Sequence, residues 1–236
     1  MGTMLSAVNG GVDQLQLAGG FFDKLSTEAA SDLASLAFPH SYQANCTLFS
    51  EKDPAPGVFV MLEGEVKLSI GSSEGRRLSL RIARKGDLLG LTSALSGGSC
   101  EMTAETLHPS KIASIRPNVF LSFLGRHPEA YRAVTEELGR EYGMACEQLR
   151  TVGLSSSAPE KLARLLLDWS ETGQTTELGT RFHLSMTHEE VGEFIGASRE
   201  TVTRTLSTFK NRHLVALHGA TLTIPSRTAL EAYAGC

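Results

Sequence analysis

The stretch GASRETVTRTLSTF, residues 196–209, places two arginines and a glutamate within six residues. Arginine can donate two hydrogen bonds to O6 and N7 of guanine, and glutamate can accept one from N4 of cytosine. Arg199, Glu200 and Arg204 are therefore residue types that can read a G·C base pair. For that chemistry they must lie on one exposed face of a single element.

A helix over this stretch would provide such a face. At about 100° per residue, Val202, Leu206 and Phe209 fall on one side of the helix. The other side holds polar side chains only: Arg199, Glu200, Thr203, Arg204 and Ser207. A simpler interpretation stays open, because glutamate is favoured at any helix N-terminus and Glu200–Arg204 is an ordinary i,i+4 surface pair.

The preceding residues predict another helix, joined to this one by a tight turn. Thr187 with Glu190 three residues later forms the pattern of a capping box, which begins a helix. Gly196 is suited to end that helix, and Ser198 is suited to cap the next one. Two short helices joined by a Gly-containing turn of three residues are typical of a helix-turn-helix. This context favours a polar face that contacts DNA bases over the interpretation that Glu200 and Arg204 form only a surface ion pair.

The chain as a whole is acidic, with a formal net charge of -4 over 236 residues. From Arg181 onward, six lysines and arginines stand against five acids, so that part carries +1. Charge thus permits DNA binding by the C-terminal part without demonstrating it. The hydrophobic share of 41% and the charged share of 20% are those of an ordinary globular protein, and the length suits two domains.

Several function classes are disfavoured. Four cysteines lie far apart without a CxxC pair, which argues against a disulfide framework and against zinc or iron–sulfur sites. No apolar run approaches the ~18 residues of a membrane span, and no signal pattern opens the chain, so we expect a cytoplasmic protein with no membrane partner. There is no nucleophile elbow, phosphate loop or HExxH motif. We therefore predict no catalytic residue and no metal ligand.

The sequence pattern of the N-terminal half is typical of an antiparallel β domain. Residues 1–20 are Gly-rich and are expected to form an arm, and a short helical pattern covers about 21–36. Short strands separated by turn residues are predicted at 58–62, 66–70, 78–82, 103–107 and 111–115. This spacing indicates a β-sandwich or barrel rather than a parallel sheet.

A long helix is predicted after the barrel. Its apolar residues recur at spacings of 4, 3, 4 and 3: Leu138, Tyr142, Ala145, Leu149 and Val152. Such a narrow stripe favours a homodimer seam, with packing of the helix on its own barrel as the alternative. Three serines and Pro159 then predict a hinge near residues 153–158. The expected domains are an arm (1–20), a barrel (21–116), a dimerisation helix (117–153) and a DNA-binding domain (154–236).

Two segments resemble the cyclic-AMP receptor protein / fumarate-nitrate reduction regulator (CRP/FNR) family. SMTHEEVGEFIGASRETVTRTLSTFKNRHLV is similar to the family's helix-turn-helix, and VFVMLEGEVKL with KGDLLGL is similar to its cyclic-nucleotide-binding barrel. The resemblance covers about residues 20–225. It implies an α+β fold with an N-terminal jelly-roll barrel, a long dimerisation helix and a C-terminal winged helix-turn-helix whose hairpin is LVALHGATLTI.

The resemblance also implies the roles of particular residues. Arg199 and Arg204 would contact guanines and Glu200 a cytosine, within a TGTGA-like half-site. The polar face also offers Thr203, and Thr187 and Ser198 become candidate phosphate contacts. The implied partners are double-stranded DNA, a second copy of the chain and RNA polymerase. Activation and repression are not distinguishable here, because they depend on where the site lies.

The expected effector pocket departs from the family pattern. A cyclic-AMP sensor of the family carries a glutamate and an arginine where this chain has Leu91 and Met102. The pocket residues that the resemblance implies are Gly90, Leu91, Thr92, Met102 and Thr103. Cyclic AMP in the usual pose is not expected, and neither are haem or an iron–sulfur cluster, whose ligands are missing. The effector is left unassigned.

Two questions stay open at this point. A ligand-binding module that acts on a partner enzyme is the main alternative function, and the complete recognition helix argues against it. Cys100, beside the pocket, is either a redox switch or a packed core residue. No role is predicted for Cys46 or Cys146.

Overall fold

The computed structural model describes residues 19–154 and 157–234. The chain packs as two compact units, divided between Met144 and Ala145. The expected N-terminal arm lies outside the described residues up to residue 18, as do two serines of the expected hinge, Ser155 and Ser156. Within the described ranges, no helix is both long and apolar enough to cross a membrane.

The first unit contains two four-stranded antiparallel sheets. Their orders are β1-β8-β3-β6 and β2-β7-β4-β5. The strands are β1 (Phe38–Tyr42), β2 (Thr47–Phe49), β3 (Val58–Glu63), β4 (Val66–Gly71), β5 (Arg77–Ala83), β6 (Leu88–Leu89), β7 (Thr103–Thr106) and β8 (Ser110–Ile115). The five strands expected from the sequence are confirmed to within a residue at each end. The three others are short or carry no alternation of apolar and polar residues.

Strand β3 lies between two hydrophobic cores, because its alternate residues face opposite sides of the sheet. Val58, Val60 and Leu62 join the core that the helices cover. Phe59 and Met61 join the core between the sheets. Cys100 is buried in that second core, and burial raises the pKa of its thiol. This environment fits the packing alternative for Cys100.

Four helices accompany the sheets in the part of the unit that the structure describes. They are α1 (Thr27–Leu36), α2 (Leu91–Ser96), α3 (Pro117–Arg126) and α4 (Ala130–Gly153), with a 3₁₀ turn at Phe22–Lys24. The segment expected to hold the dimerisation helix, residues 117–153, contains two helices, α3 and α4. Pro128 has no N–H to continue α3. Asp32 of α1 accepts from Arg126 at 2.8 Å and lies 3.0 Å from Nε2 of His127, which fixes the joint.

The second unit is a helical domain with a four-stranded antiparallel sheet. After the end of α4 come α5 (Ala158–Ser170), α6 (His188–Ile195), α7 (Arg199–Asn211) and α8 (Arg227–Ala234). The sheet order is β11-β12-β10-β9, built from β9 (Gln174–Thr176), β10 (Gly179–His183), β11 (Ala216–His218) and β12 (Thr221–Ile224). The β11–β12 hairpin is the wing that the resemblance implies. The α+β class and the order of the elements are confirmed.

Gly192 should not tolerate a side chain. A Cβ there would meet the carbonyl oxygen of Ala197 inside van der Waals distance, because α6 passes close to the turn that follows it. We expect Gly192→Ala to lower the free energy of unfolding by about 1–3 kcal/mol in a denaturant melt. Gly125→Ala is the control, since a Cβ at Gly125 meets nothing within 4 Å. Equal stability of the two variants would contradict this account of the turn.

Candidate DNA-binding surface and effector cavity

Side chains at the ends of α6 and α7 define the turn between these helices. The N–H of Glu190 donates to Oγ1 of Thr187 at 3.2 Å, and the N–H of Thr187 donates to Oε2 of Glu190 at 2.8 Å. This is the predicted capping box. Gly196 ends α6 in the left-handed conformation with φ 62°, and Oγ of Ser198 accepts from the N–H of Thr201 at 3.3 Å. A three-residue turn therefore joins two capped helices.

Helix α7 has the two faces that the sequence predicts. Val202, Leu206 and Phe209 are buried, together with Thr205, whose hydroxyl donates to the carbonyl of Thr201 at 2.8 Å. The opposite face is exposed and consists of the predicted polar residues: Arg199, Glu200, Thr203, Arg204 and Ser207. Both guanidinium groups thus reach solvent from a rigid helix.

The charges on this face suit base reading. The pKa of Glu200 is lowered by its own backbone N–H, by the Ser198 hydroxyl and by the Arg199 charge. The carboxylate is therefore an acceptor only, as a contact to cytosine N4 requires. Among the described residues no ion pair joins Glu200 to Arg204. The i,i+4 surface pair considered from the sequence is not formed.

The three predicted hydroxyl contacts already have partners within the domain. Thr187 and Ser198 serve as the two N-caps. Thr203 donates through Oγ1 to the carbonyl of Arg199 at 2.9 Å and lies 2.7 Å from Nδ1 of His188. No sequence pattern indicates the contact of His188 with Thr203, because it depends on how α6 crosses α7.

A small cavity in the first unit brings four of the five predicted pocket residues together. It has a volume of about 20 Å³, room for about one water molecule. Its lining consists of Phe49, Leu68, Leu89, Gly90, Leu91, Thr92, Glu101, Met102 and Glu141. Thr103 is not part of the lining, and its hydroxyl accepts from the N–H of Glu51 at 3.0 Å. Glu101 is the sequence neighbour of the predicted Met102, whereas Glu141 of α4 was not predicted.

An ionic cluster of the first unit lies beside this cavity and joins α4 to the barrel. Arg81 of β5 donates to Asp87 at 2.9 Å and to Glu141 at 3.3 Å. Arg140 donates to Asp87 at 3.0 Å and also binds Glu137. Burial raises the pKa of Glu141, and the Arg81 charge opposes that rise. Arg81 and Glu141 are 60 residues apart in sequence, and Arg140 and Asp87 are 53 residues apart, so no local pattern could predict these two bonds between α4 and the barrel.

The apolar stripe of α4 is exposed over its middle. Tyr142 is 73% exposed and Leu149 is 69% exposed, with Ala145 exposed between them. Leu138 is partly buried against the helix-covered core. Val152 is half-buried near Gly196 in the second unit. The start of α4 thus packs on its barrel, as the alternative predicts, and the residues beyond it form an open apolar surface.

Comparison with known proteins supplies the family. A Crp-like helix-turn-helix domain matches residues 160–233, and a cyclic nucleotide-binding domain matches residues 39–127. The chain is 25% identical over 214 residues to a CRP-like cAMP-activated global transcriptional regulator of Mycobacterium tuberculosis, covering 90% of this chain and 95% of that one. It is 28% identical over 171 residues to the transcriptional activatory protein AadR of Rhodopseudomonas palustris, covering 72% and 70%.

A solved structure has the same fold. FixK2 from Bradyrhizobium japonicum superposes with a TM-score of 0.75 over 84% of this chain and 96% of that chain, at 23% identity. The two matched domains fall on the barrel and on the helix-turn-helix of this structure. The chain therefore belongs to the CRP/FNR family of DNA-binding transcription regulators, which are not enzymes.

Proposed function

We propose that two copies of this chain bind a palindromic, TGTGA-like DNA site through α7, and that cyclic AMP is not the effector. The observation that carries the proposal is the exposed face of α7, where Arg199, Glu200 and Arg204 stand in the first turns. The N-terminal part of a recognition helix is the part that meets base edges. RNA polymerase as a further partner rests on the family alone.

The proposed dimer rests on the open stripe of α4. Tyr142, Ala145 and Leu149 lie three and four residues apart, so they line one side of the helix. A narrow stripe of this period suits a second helix of the same kind. A two-fold dimer presents two copies of α7, which matches a palindromic site.

The cavity supports the proposal on cyclic AMP. Leu91, 1% exposed, and Met102 stand where the family's sensors have a glutamate and an arginine. No arginine or lysine lines the cavity among the described residues, and two carboxylates do, those of Glu101 and Glu141. A cyclic phosphate placed there would lose water without gaining a cationic partner. Compared with a sensor that carries the glutamate and the arginine, this chain should bind cyclic AMP about a hundred-fold more weakly or worse.

The proposed site can be tested without assuming its sequence. Selection of bound duplexes from a random pool should recover inverted repeats whose half-sites are TGTGA-like. Recovery of single, unrepeated sequences would contradict the palindromic reading. Recovery of repeats with other half-sites would contradict the roles of Arg199, Glu200 and Arg204.

Calorimetry is expected to show no saturable binding of cyclic AMP, and operator affinity should not change when cyclic AMP is added. The reason is the loss of both polar partners at Leu91 and Met102. The Mycobacterium tuberculosis relative, which is named as cAMP-activated, is the positive control in the same buffer. Micromolar binding of cyclic AMP coupled to tighter operator binding would overturn this part of the proposal.

A further inference from the structure

The last turns of α4 contact the helix-turn-helix inside the second unit. Nε2 of Gln148 donates to the carbonyl oxygen of Phe194 at 2.8 Å. Phe194 lies in the last turn of α6, immediately before the turn that leads into α7. The contact spans 46 residues of sequence, so it joins two helices that are not neighbours along the chain.

The carbonyl oxygen of Phe194 that accepts this bond lies in the last turn of α6, where helix carbonyls have no donor within the helix. The last four carbonyls of a helix lack partners within the helix. The N–H groups of Gly196 and Ala197 both donate to the carbonyl of Gly192. Gln148 therefore supplies a donor to Phe194 from another element.

Two further contacts hold the same end of α4. Val152 follows Gln148 by one helical turn, on the same face. Its Cγ1 lies 3.6 Å from the point where a Cβ at Gly196 would stand, so it covers the turn. Nζ of Lys161 donates to the carbonyl of Val152 at 2.7 Å, which ties the end of α4 to α5.

We infer that Gln148 is a positioning residue for DNA recognition, which sets the spacing between the two half-sites that the dimer accepts. The inference rests on the proposed function, since it needs a dimer through α4. Ala145 and Leu149 of the proposed seam lie on the same turns of α4 as Gln148. A bond from these turns to the last turn of α6 therefore links the proposed dimer interface to the helix-turn-helix.

The link affects spacing rather than base reading. Half-site spacing is a geometric property of how two recognition helices are held in the dimer. The side chains of Arg199, Glu200 and Arg204 stay on α7 whatever the angle of that helix to α4. Loss of the Gln148 bond should thus widen the range of accepted spacings and leave the preference for each base unchanged.

The test measures binding of the full chain to palindromes with the preferred spacer and with spacers one base pair shorter or longer. Gln148→Met keeps the length of the side chain and removes the donor, so the preference for the best spacer should fall about five-fold. Gln148→Lys keeps a donor to the same carbonyl and should retain the wild-type preference. Glu147→Gln, on an exposed neighbour, is the control.

Each result decides the inference. It is supported if Gln148→Met relaxes the spacing preference while discrimination of G·C from A·T at the contacted pair is unchanged. It is overturned if the variant keeps the wild-type spacing preference. It is also overturned if affinity falls equally for all spacers together with the melting temperature, which is a purely structural effect. A monomeric wild-type protein would instead refute the proposed dimer, and the inference with it.

Discussion

Leu149→Glu is expected to convert the proposed dimer into monomers and to weaken binding to a palindromic site by about a hundred-fold or more. Leu149 is 69% exposed in the single chain, so the change should leave the fold of each subunit intact. In the proposed dimer the new carboxylate would be buried against the partner helix, which carries a large desolvation penalty. A monomer then binds each half-site alone and loses the advantage of a linked second contact.

Sedimentation equilibrium and an operator titration measure this effect. The matched control is Leu178→Glu, because Leu178 is 74% exposed in the turn between β9 and β10 and is not part of the α4 stripe. The control should remain dimeric and bind the operator normally. A wild-type protein that sediments as a monomer at micromolar concentration would refute the seam. A Leu149→Glu variant that stays dimeric would show that the dimer interface does not involve Leu149.

Arg204→Ala should cost about 1–3 kcal/mol of binding free energy on a TGTGA-like site and relax the base preference at one position. The expected reason is the loss of two hydrogen bonds from the guanidinium to guanine. Arg199→Ala should act in the same way at a different base pair. Fluorescence titrations on duplexes with each base pair at the contacted position would show it.

Lys210→Ala is the control for charge alone. Lys210 is exposed in the last turn of α7, far along the helix from its N-terminal end. Its loss should weaken all duplexes about equally and reduce the dependence of affinity on salt. If Arg199→Ala and Arg204→Ala kept full discrimination of G·C from A·T, the assignment of the two arginines as base-reading residues would be wrong.

The helix-turn-helix could be predicted from the sequence because the patterns that define it are local. The capping box of Thr187 and Glu190, the helix end at Gly196 and the cap at Ser198 each act within about one turn of helix. The burial of Val202, Leu206 and Phe209 follows from the period of the helix. The structure places all of these as expected.

Contacts between residues that are far apart in sequence could not be predicted from the sequence. The bonds of Arg81 to Glu141 and of Gln148 to Phe194 join residues with no shared period. The spacing of the apolar residues on α4 predicted a seam. It did not predict at which residue the barrel ceases to cover the helix, which happens between the buried Val134 and the exposed Tyr142. Strand β6 has two residues, too few for a pattern.

The most direct test of the account is an anisotropy titration of the wild-type protein, without cyclic AMP, on two palindromic duplexes. One carries TGTGA half-sites, and the other has the contacted G·C pair changed to A·T in both halves. We expect at least a ten-fold tighter complex with the first duplex, since each changed pair costs about 1–3 kcal/mol. Equal affinity for both duplexes, or binding that appears only when cyclic AMP is added, would contradict it.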